Sequence, residues 1–262
     1  MLSAPDCSFF QVLGFPVYFY GVILAFAIFV GIVIANKIAL EKYYLPALVP
    51  NIATSVVLGG ILGARLYYCL LNYKLYIMSP LEILAIREGG LSIHGAIIGG
   101  LFVLLFQSKR YNVEFFKLCD IFALGVPVAQ SIGRWGNFFN SEAFGLPTNL
   151  PWRMFIKSQY RPDEYFSYEY FHPTFLYESI LDIVMFLILY FAILPKNKEN
   201  YGIVSASYLL MYSIIRFFIE FIRVDCVKYI WGIPVPQIVS IVIILLSSLF
   251  ILYKIFFKNK CN

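Results

Sequence analysis

Charge is what this chain has least of. Only 13% of its 262 residues are Asp, Glu, Lys or Arg, whereas 61% are apolar and 19% aromatic. A soluble domain carries about 25% charged residues, so this composition excludes a free aqueous fold and predicts an integral membrane protein. Histidine is nearly absent, with two copies, and the five cysteines show no CxxC pair or other metal-ligand spacing. No metal site is expected, and Cys7, Cys69, Cys119, Cys226 and Cys261 read as small apolar fillers. Nothing in the pattern asks for a cofactor or a nucleic-acid partner. The opening MLSAPDCSFF lacks the basic stretch of a cleavable signal peptide, so the first membrane helix is expected to act as its own insertion signal. There is no long repeat, no low-complexity tract, and no nucleophile elbow for a serine triad.

What the chain does have is apolar length. A membrane span needs about 20 mostly apolar residues. Seven segments qualify: 17–35, 51–71, 91–107, 118–135, 174–194, 202–222 and 233–255. The connections are short except for 136–173, which is rich in Pro, Phe, Tyr and Trp. The expected architecture is an all-α integral membrane protein with about seven transmembrane helices. It forms one polytopic domain over 1–262, with an extracytoplasmic insertion at 136–173 between helices four and five. Counting Lys and Arg in alternate loops gives ten on the side that includes Lys37, Lys109, Lys196 and Lys254, and seven on the other; Arg65, Arg134 and Arg216 fall inside spans. The positive-inside rule then puts the N-terminus outside and the C-terminus in the cytoplasm. Trp152 and Trp231 read as interfacial anchors. Segments GGILGAR (59–65) and HGAIIGG (94–100) carry small residues four apart, the spacing that lets two helices approach closely.

Polar residues inside the apolar stretches are few and concentrated. Residues 133–145 read GRWGNFFNSEAFG, placing Arg134, Asn137, Asn140 and Glu142 together at the end of span four. A charge at mid-bilayer costs about 2.5–3.5 kcal/mol on insertion scales, so such residues persist when paired or used. Tyr20 opens span one, His94 opens span three, His172 and Glu178 begin span five, and Arg216, Glu220 and Arg223 close span six. On the orientation above all of these lie toward the outer leaflet. A transporter would more naturally hold its polar groups near the midplane on broken helices. Arg216 and Glu220 stand four apart and can pair on one helix face. On that arrangement Arg134 and Arg216 serve separate partners, and their effects are expected to add. Arginines from different helices could clamp a phosphodiester, because the planar guanidinium binds phosphate oxygens bidentately and stays charged. His94 is either a satisfied helix histidine or a general base, whose ordinary pKa near 6.5 suits proton removal at neutral pH.

Together these segments resemble bacterial prolipoprotein diacylglyceryl transferases over nearly the whole chain. GRWGNFFNSEAFG is similar to that family's signature Gly-Arg-x-Gly-Asn-Phe-x-Asn-x-Glu-x-x-Gly. LSIHGAIIGG, HPTFLYES, RFFIEFIR, Tyr20-Gly21 and GARLYY match further family elements in order. One departure is Ala96, where the family commonly has a second glycine after the histidine. The resemblance implies transfer of the sn-1,2-diacylglyceryl group of phosphatidylglycerol to the lipobox cysteine of a preprolipoprotein, with a thioether formed and glycerol phosphate released. It implies His94, Arg134 and Arg216 as catalytic residues. Arg134, Asn137, Glu142, Tyr20, Tyr212, Glu220 and Arg223 would surround the headgroup. The implied partners are phosphatidylglycerol, signal peptides of preprolipoproteins and membrane lipids, and the implied location is the bacterial cytoplasmic membrane. The 136–173 insertion would receive the signal peptide on the outer face. The competing readings are a small-solute or lipid transporter, against which the spans show no pseudo-symmetric halves, and an assembly factor, which leaves His94 and the arginines without a role.

Overall fold

The computed structural model describes residues 2–3, 9–12, 15–85, 89–224 and 229–258. In chain order its helices are α1 (Phe19–Tyr43), α2 (Leu48–Leu71), α3 (Tyr73–Met78), α4 (Ile93–Arg110), α5 (Phe115–Phe139), α6 (Thr174–Ile188), α7 (Leu194–Asn197), α8 (Ile203–Ile219) and α9 (Val235–Lys258). Helix lies on each of the seven apolar segments. Five stretches are long and apolar enough to cross a membrane: α1, α2, α5, Thr174–Asn197 and α9. The other two fall short for visible reasons. Helix α8 has only 17 residues, and α4 carries His94 in its first turn and ends in Gln107, Ser108, Lys109 and Arg110. Short strands occupy the connectors, so the chain is mostly helical without being wholly so.

The chain forms two compact units, one of residues 36–121 and one of 1–35 with 122–262. In the smaller unit α2 and α4 lie backbone to backbone. A Cβ on Gly63 would run into the carbonyl oxygen of Gly95, one on Gly95 into that of Gly63, and one on Gly99 into that of Gly59. The GxxxG spacing of both segments is thereby explained, since only hydrogen at these positions permits the approach. Gln107 Nε2 donates to Ser55 Oγ (2.7 Å) at the other end of the pair, and Ser92 N donates to Ala64 O (3.1 Å) at the near end.

In the larger unit α1 meets α5 at Gly31 and Gly125, and α8 packs between α6 and α9. Two helices are interrupted by proline, which lacks the N–H that a helix interior requires. Pro127 sits inside α5, and the run from α6 to α7 passes through a π-turn, Leu189–Ile193, just before Pro195. Helix α5 continues to Phe139 rather than stopping at residue 135. Its last turn is held by rings: Phe138 packs on Phe175 (5.1 Å) and Phe139 stacks on Phe19 (5.1 Å). The irregular segment after it therefore starts at residue 140. There β4 (Met154–Phe155) pairs with β5 (Tyr170–Phe171) and with β1 (Leu2–Ser3). Phe144, Met154, Ile156, Phe171 and Phe175 make a small dry core beneath that sheet.

Candidate active site

The turn after α5 joins three remote pieces of chain through the backbone. Gly145 N donates to His172 O (2.8 Å), Leu146 N to Ile222 O (2.7 Å), and Val224 N to Phe144 O (3.2 Å). A Cβ at Gly145 would stand 2.6 Å from Ile222 O and 2.9 Å from His172 Cβ, so only glycine permits the junction. Thr174 Oγ1 adds a hydrogen bond to Ala143 O. The turn itself uses left-handed backbone at Ser141 (φ 55°) and Ala143 (φ 54°), a conformation L residues rarely adopt. This junction brings the end of α5, the start of α6 and the end of α8 to one place.

What they bring is an arginine cluster around a single buried carboxylate. Glu178, 2% exposed, has Arg134 Nη1 at 3.2 Å and Arg223 Nη1 at 3.5 Å from Oε2, and Arg216 Nη1 at 3.5 Å from Oε1. Arg216 also reaches Glu220 through Nη2 at 2.7 Å, the i,i+4 pair expected from sequence. Arg216 and Arg134 therefore share Glu178 and do not serve separate partners. The two Arg216 contacts are ion pairs by distance, yet Arg216 Nη1 and Glu220 Oε2 have no aligned hydrogen bond, so donor capacity remains there. Three guanidiniums meet two carboxylates in this contact set, an excess of one positive charge. Asp182, one turn further along α6 and 1% exposed, lies within electrostatic reach of Arg134 and Glu178; its Oδ2 has no hydrogen-bond partner.

The remaining expected site residues divide. Tyr212 is within reach of Arg134 and stacks on Tyr208 (6.1 Å), whose hydroxyl donates to Gln130 (3.0 Å). The Tyr20 ring lies against Gly136, where a Cβ would come within 2.7 Å of it. Asn137 holds the signature turn through its carbonyl, which accepts from Glu142 N (2.9 Å). Glu142 stands apart from the arginine–carboxylate contacts described above. It is exposed, and its carboxylate meets Asn140 Nδ2 at 3.4 Å. A left-handed residue on either side turns it away from the path of α5. His94 is exposed at the start of α4, with the Tyr67 ring 6.2 Å away. It belongs to the smaller unit, and the arginine cluster to the larger.

Sequence reasoning passes over Asp182, and it notes Glu178 at the start of span five without counting it among the expected site residues. The signal was present: two acids four apart in an otherwise apolar helix must share a face and need partners. His172 Nδ1 lies 3.1 Å from Tyr177 Oη, which accepts from Trp152 Nε1 at 2.8 Å. Burial pushes the His172 imidazole below its ordinary range. Arg65, intramembrane by sequence, is absorbed structurally: its guanidinium donates to the carbonyls of Glu82, Ile83, Gly89 and Gly90.

Clustered guanidiniums on apolar helices, with donor capacity left at Arg216, suit an anionic lipid headgroup. Comparison with known proteins agrees. A family model described as prolipoprotein diacylglyceryl transferase matches residues 8–253. The phosphatidylglycerol–prolipoprotein diacylglyceryl transferase of Synechococcus sp. (strain CC9902) is 39% identical over 260 residues, covering 95% of this chain and 93% of the relative. The protein of the same name from Prochlorococcus marinus (strain MIT 9312) is 37% identical over 241 residues, covering 86% and 81%. That of Synechocystis sp. (strain ATCC 27184 / PCC 6803 / Kazusa) is 38% identical over 250 residues, covering 94% and 88%. On the match of nearly the whole chain to the family model and to these relatives, the chain belongs to the prolipoprotein diacylglyceryl transferase family.

Proposed function

We infer that the chain is an enzyme that transfers the diacylglyceryl group of phosphatidylglycerol to the lipobox cysteine thiol of preprolipoproteins. The carrying observation is the half-buried cluster of Arg134, Arg216 and Arg223 on buried Glu178, in a chain of this family. The reaction is a displacement at an sp3 carbon. The S–C bond forms as the C–O bond to the phosphate breaks, and the thiol proton leaves as the thiolate develops. Arginine stabilises the charge gathering on the departing phosphate. His94 is assigned as the group that takes the thiol proton, because a free cysteine with a pKa near 8.5 is mostly unreactive at neutral pH. Tyr20, Asn137, Tyr212, Glu220 and Arg223 are assigned to the headgroup surroundings, and Glu142 to the exposed lip of the signature turn.

The same reading gives seven membrane crossings in the bacterial cytoplasmic membrane, with the N-terminus outside and the C-terminus in the cytoplasm. The folded segment after α5 faces outward to receive the signal peptide. The transporter alternative is not favoured, since family and relatives carry transferase names. The test is lipidation of a lipobox peptide by the purified chain in phosphatidylglycerol liposomes, followed by mass spectrometry. Thioether product is expected, and its absence from folded protein overturns the reading. His94→Gln should lower turnover about 10²–10⁴-fold, the usual size of a general-base effect. Near-normal turnover across pH 6–9 would make His94 structural.

A further inference from the structure

The connector between α2 and α4 exposes large apolar side chains although it is not a span. Leu81 and Leu84 are 83% and 77% exposed, and Leu75 and Ile77 are exposed beside them, with Lys74 and Glu82 the charges nearby among the described residues. Its depth can be read from hydrogen bonds within the smaller unit. Ser92 N donates to Ala64 O, and Arg65 holds the carbonyls of Glu82, Ile83, Gly89 and Gly90. Ala64 and Arg65 lie six to seven residues before the end of α2 at Leu71, which is about 10 Å along the axis at 1.5 Å per residue. Helix α2 has 24 residues, so it is about 36 Å long against a hydrocarbon core of about 30 Å. A centred α2 overhangs by about 3 Å at each end, which puts the Arg65 level roughly 6 Å inside the hydrocarbon.

Backbone carbonyls at that depth are costly unless satisfied within the protein. The Arg65 guanidinium, 6% exposed, satisfies four of them with one side chain. Gly90 permits the arrangement, because a Cβ there would stand 2.6 Å from Arg65 Nη1 and 2.8 Å from the Tyr68 ring.

We propose that the connector, residues 80–84 and 89–92, is a re-entrant element embedded in the outer leaflet, with Leu81 and Leu84 among acyl chains and Arg65 as its tether. Depth assigns lipid, and not a protein partner, as the occupant of this surface. The inference rests on α2 crossing a membrane with its Leu71 end outward, as in the orientation proposed above, and not on the transfer reaction.

The test places benzoylphenylalanine at residue 81, 84, 105 or 149 of the full chain in vesicles of phosphatidylcholine and phosphatidylglycerol. Irradiation and mass spectrometry then read covalent lipid adducts. Leu105, mid-α4 and exposed, supplies the lipid-facing reference, and Asn149 the reference outside the spans. Adducts at 81 and 84 comparable with those at 105 are expected, with none at 149. Adducts at 105 but not at 81 and 84 overturn the proposal. Arg65→Lys, on protein that keeps its melting temperature, should lose the adduct at 84, because an ammonium cannot reach four carbonyls. A retained adduct overturns the tether. The assay reads no transfer, so an inactive enzyme that still yields adducts would fail the functional reading alone.

Discussion

At the scale of the residue, Glu178 decides how the arginines behave. Because Arg134 and Arg216 sit on opposite oxygens of one carboxylate, a change at either redistributes the charge felt by the other. Arg134→Lys keeps the charge but loses the planar fork and should cost most of the activity. Arg216→Lys should cost less, since an ammonium still pairs with Glu220. The double variant should deviate from additivity by about 0.5–3 kcal/mol, the range for residues in one network. Measuring kcat/KM for both singles and the double decides it, and simple additivity would show that Glu178 does not couple them. The carboxylates differ as sharply. Glu178→Gln leaves three neighbouring guanidiniums without their shared counter-ion, a loss of about 3–5 kcal/mol for a broken buried pair, so both melting temperature and activity should fall. Glu142→Gln should leave the melting temperature unchanged, because that carboxylate is exposed and, among the described residues, meets Asn140 at 3.4 Å. Glu142 attracted notice in the sequence because it stands eight residues from Arg134, but sequence distance across a turn says little about space. Glu178, forty-four residues away, is the partner because the backbone junction at Gly145 brings α6 there.

At the scale of the element, the helices were legible and the interruptions were not. Apolar length alone locates helix at all seven segments, since a chain without water partners must satisfy its own backbone. The glycine spacing of α2 and α4 was equally legible, and it makes a prediction. Gly63→Leu should force the pair apart and lower the melting temperature, by about 1–3 kcal/mol or more for an overpacked contact. Gly133→Ala should not lower it, because a Cβ there meets nothing within 4 Å. Equal melting temperatures for the two variants would show that the α2–α4 contact is loose. What the sequence hid was the left-handed backbone at Ser141 and Ala143. Neither is glycine, asparagine or aspartate, the residues that ordinarily announce such a turn.

At the scale of the whole molecule, orientation carries the functional reading. An engineered cysteine near Asn149, in a cysteine-depleted variant, should react with an impermeant maleimide in intact spheroplasts, and one near Asn197 should not. The opposite pattern would put the arginine cluster at the wrong leaflet for a secreted substrate. The sequence addresses this level through the distribution of lysine and arginine, a property of the loops that needs no knowledge of packing, and the labelling experiment tests it. It could not reveal that residues 36–121 form a compact unit of their own, because that follows from which glycines face each other.

The helix breaks in the larger unit have a mechanical consequence. Pro127 lies two turns from Arg134 along α5, and the π-turn at Leu189–Ile193 lies three turns from Glu178 along α6. Close to the arginines, by contrast, main-chain hydrogen bonds lock α5, α6 and α8 at the Gly145 junction. The bundle is stiff at one end and compliant at the other. Bilayers vary in thickness by several ångströms, and helices meet that mismatch by tilting or bending. Here such bending falls at the proline breaks, so the arginine cluster can keep its geometry while the opposite ends of its helices follow the membrane.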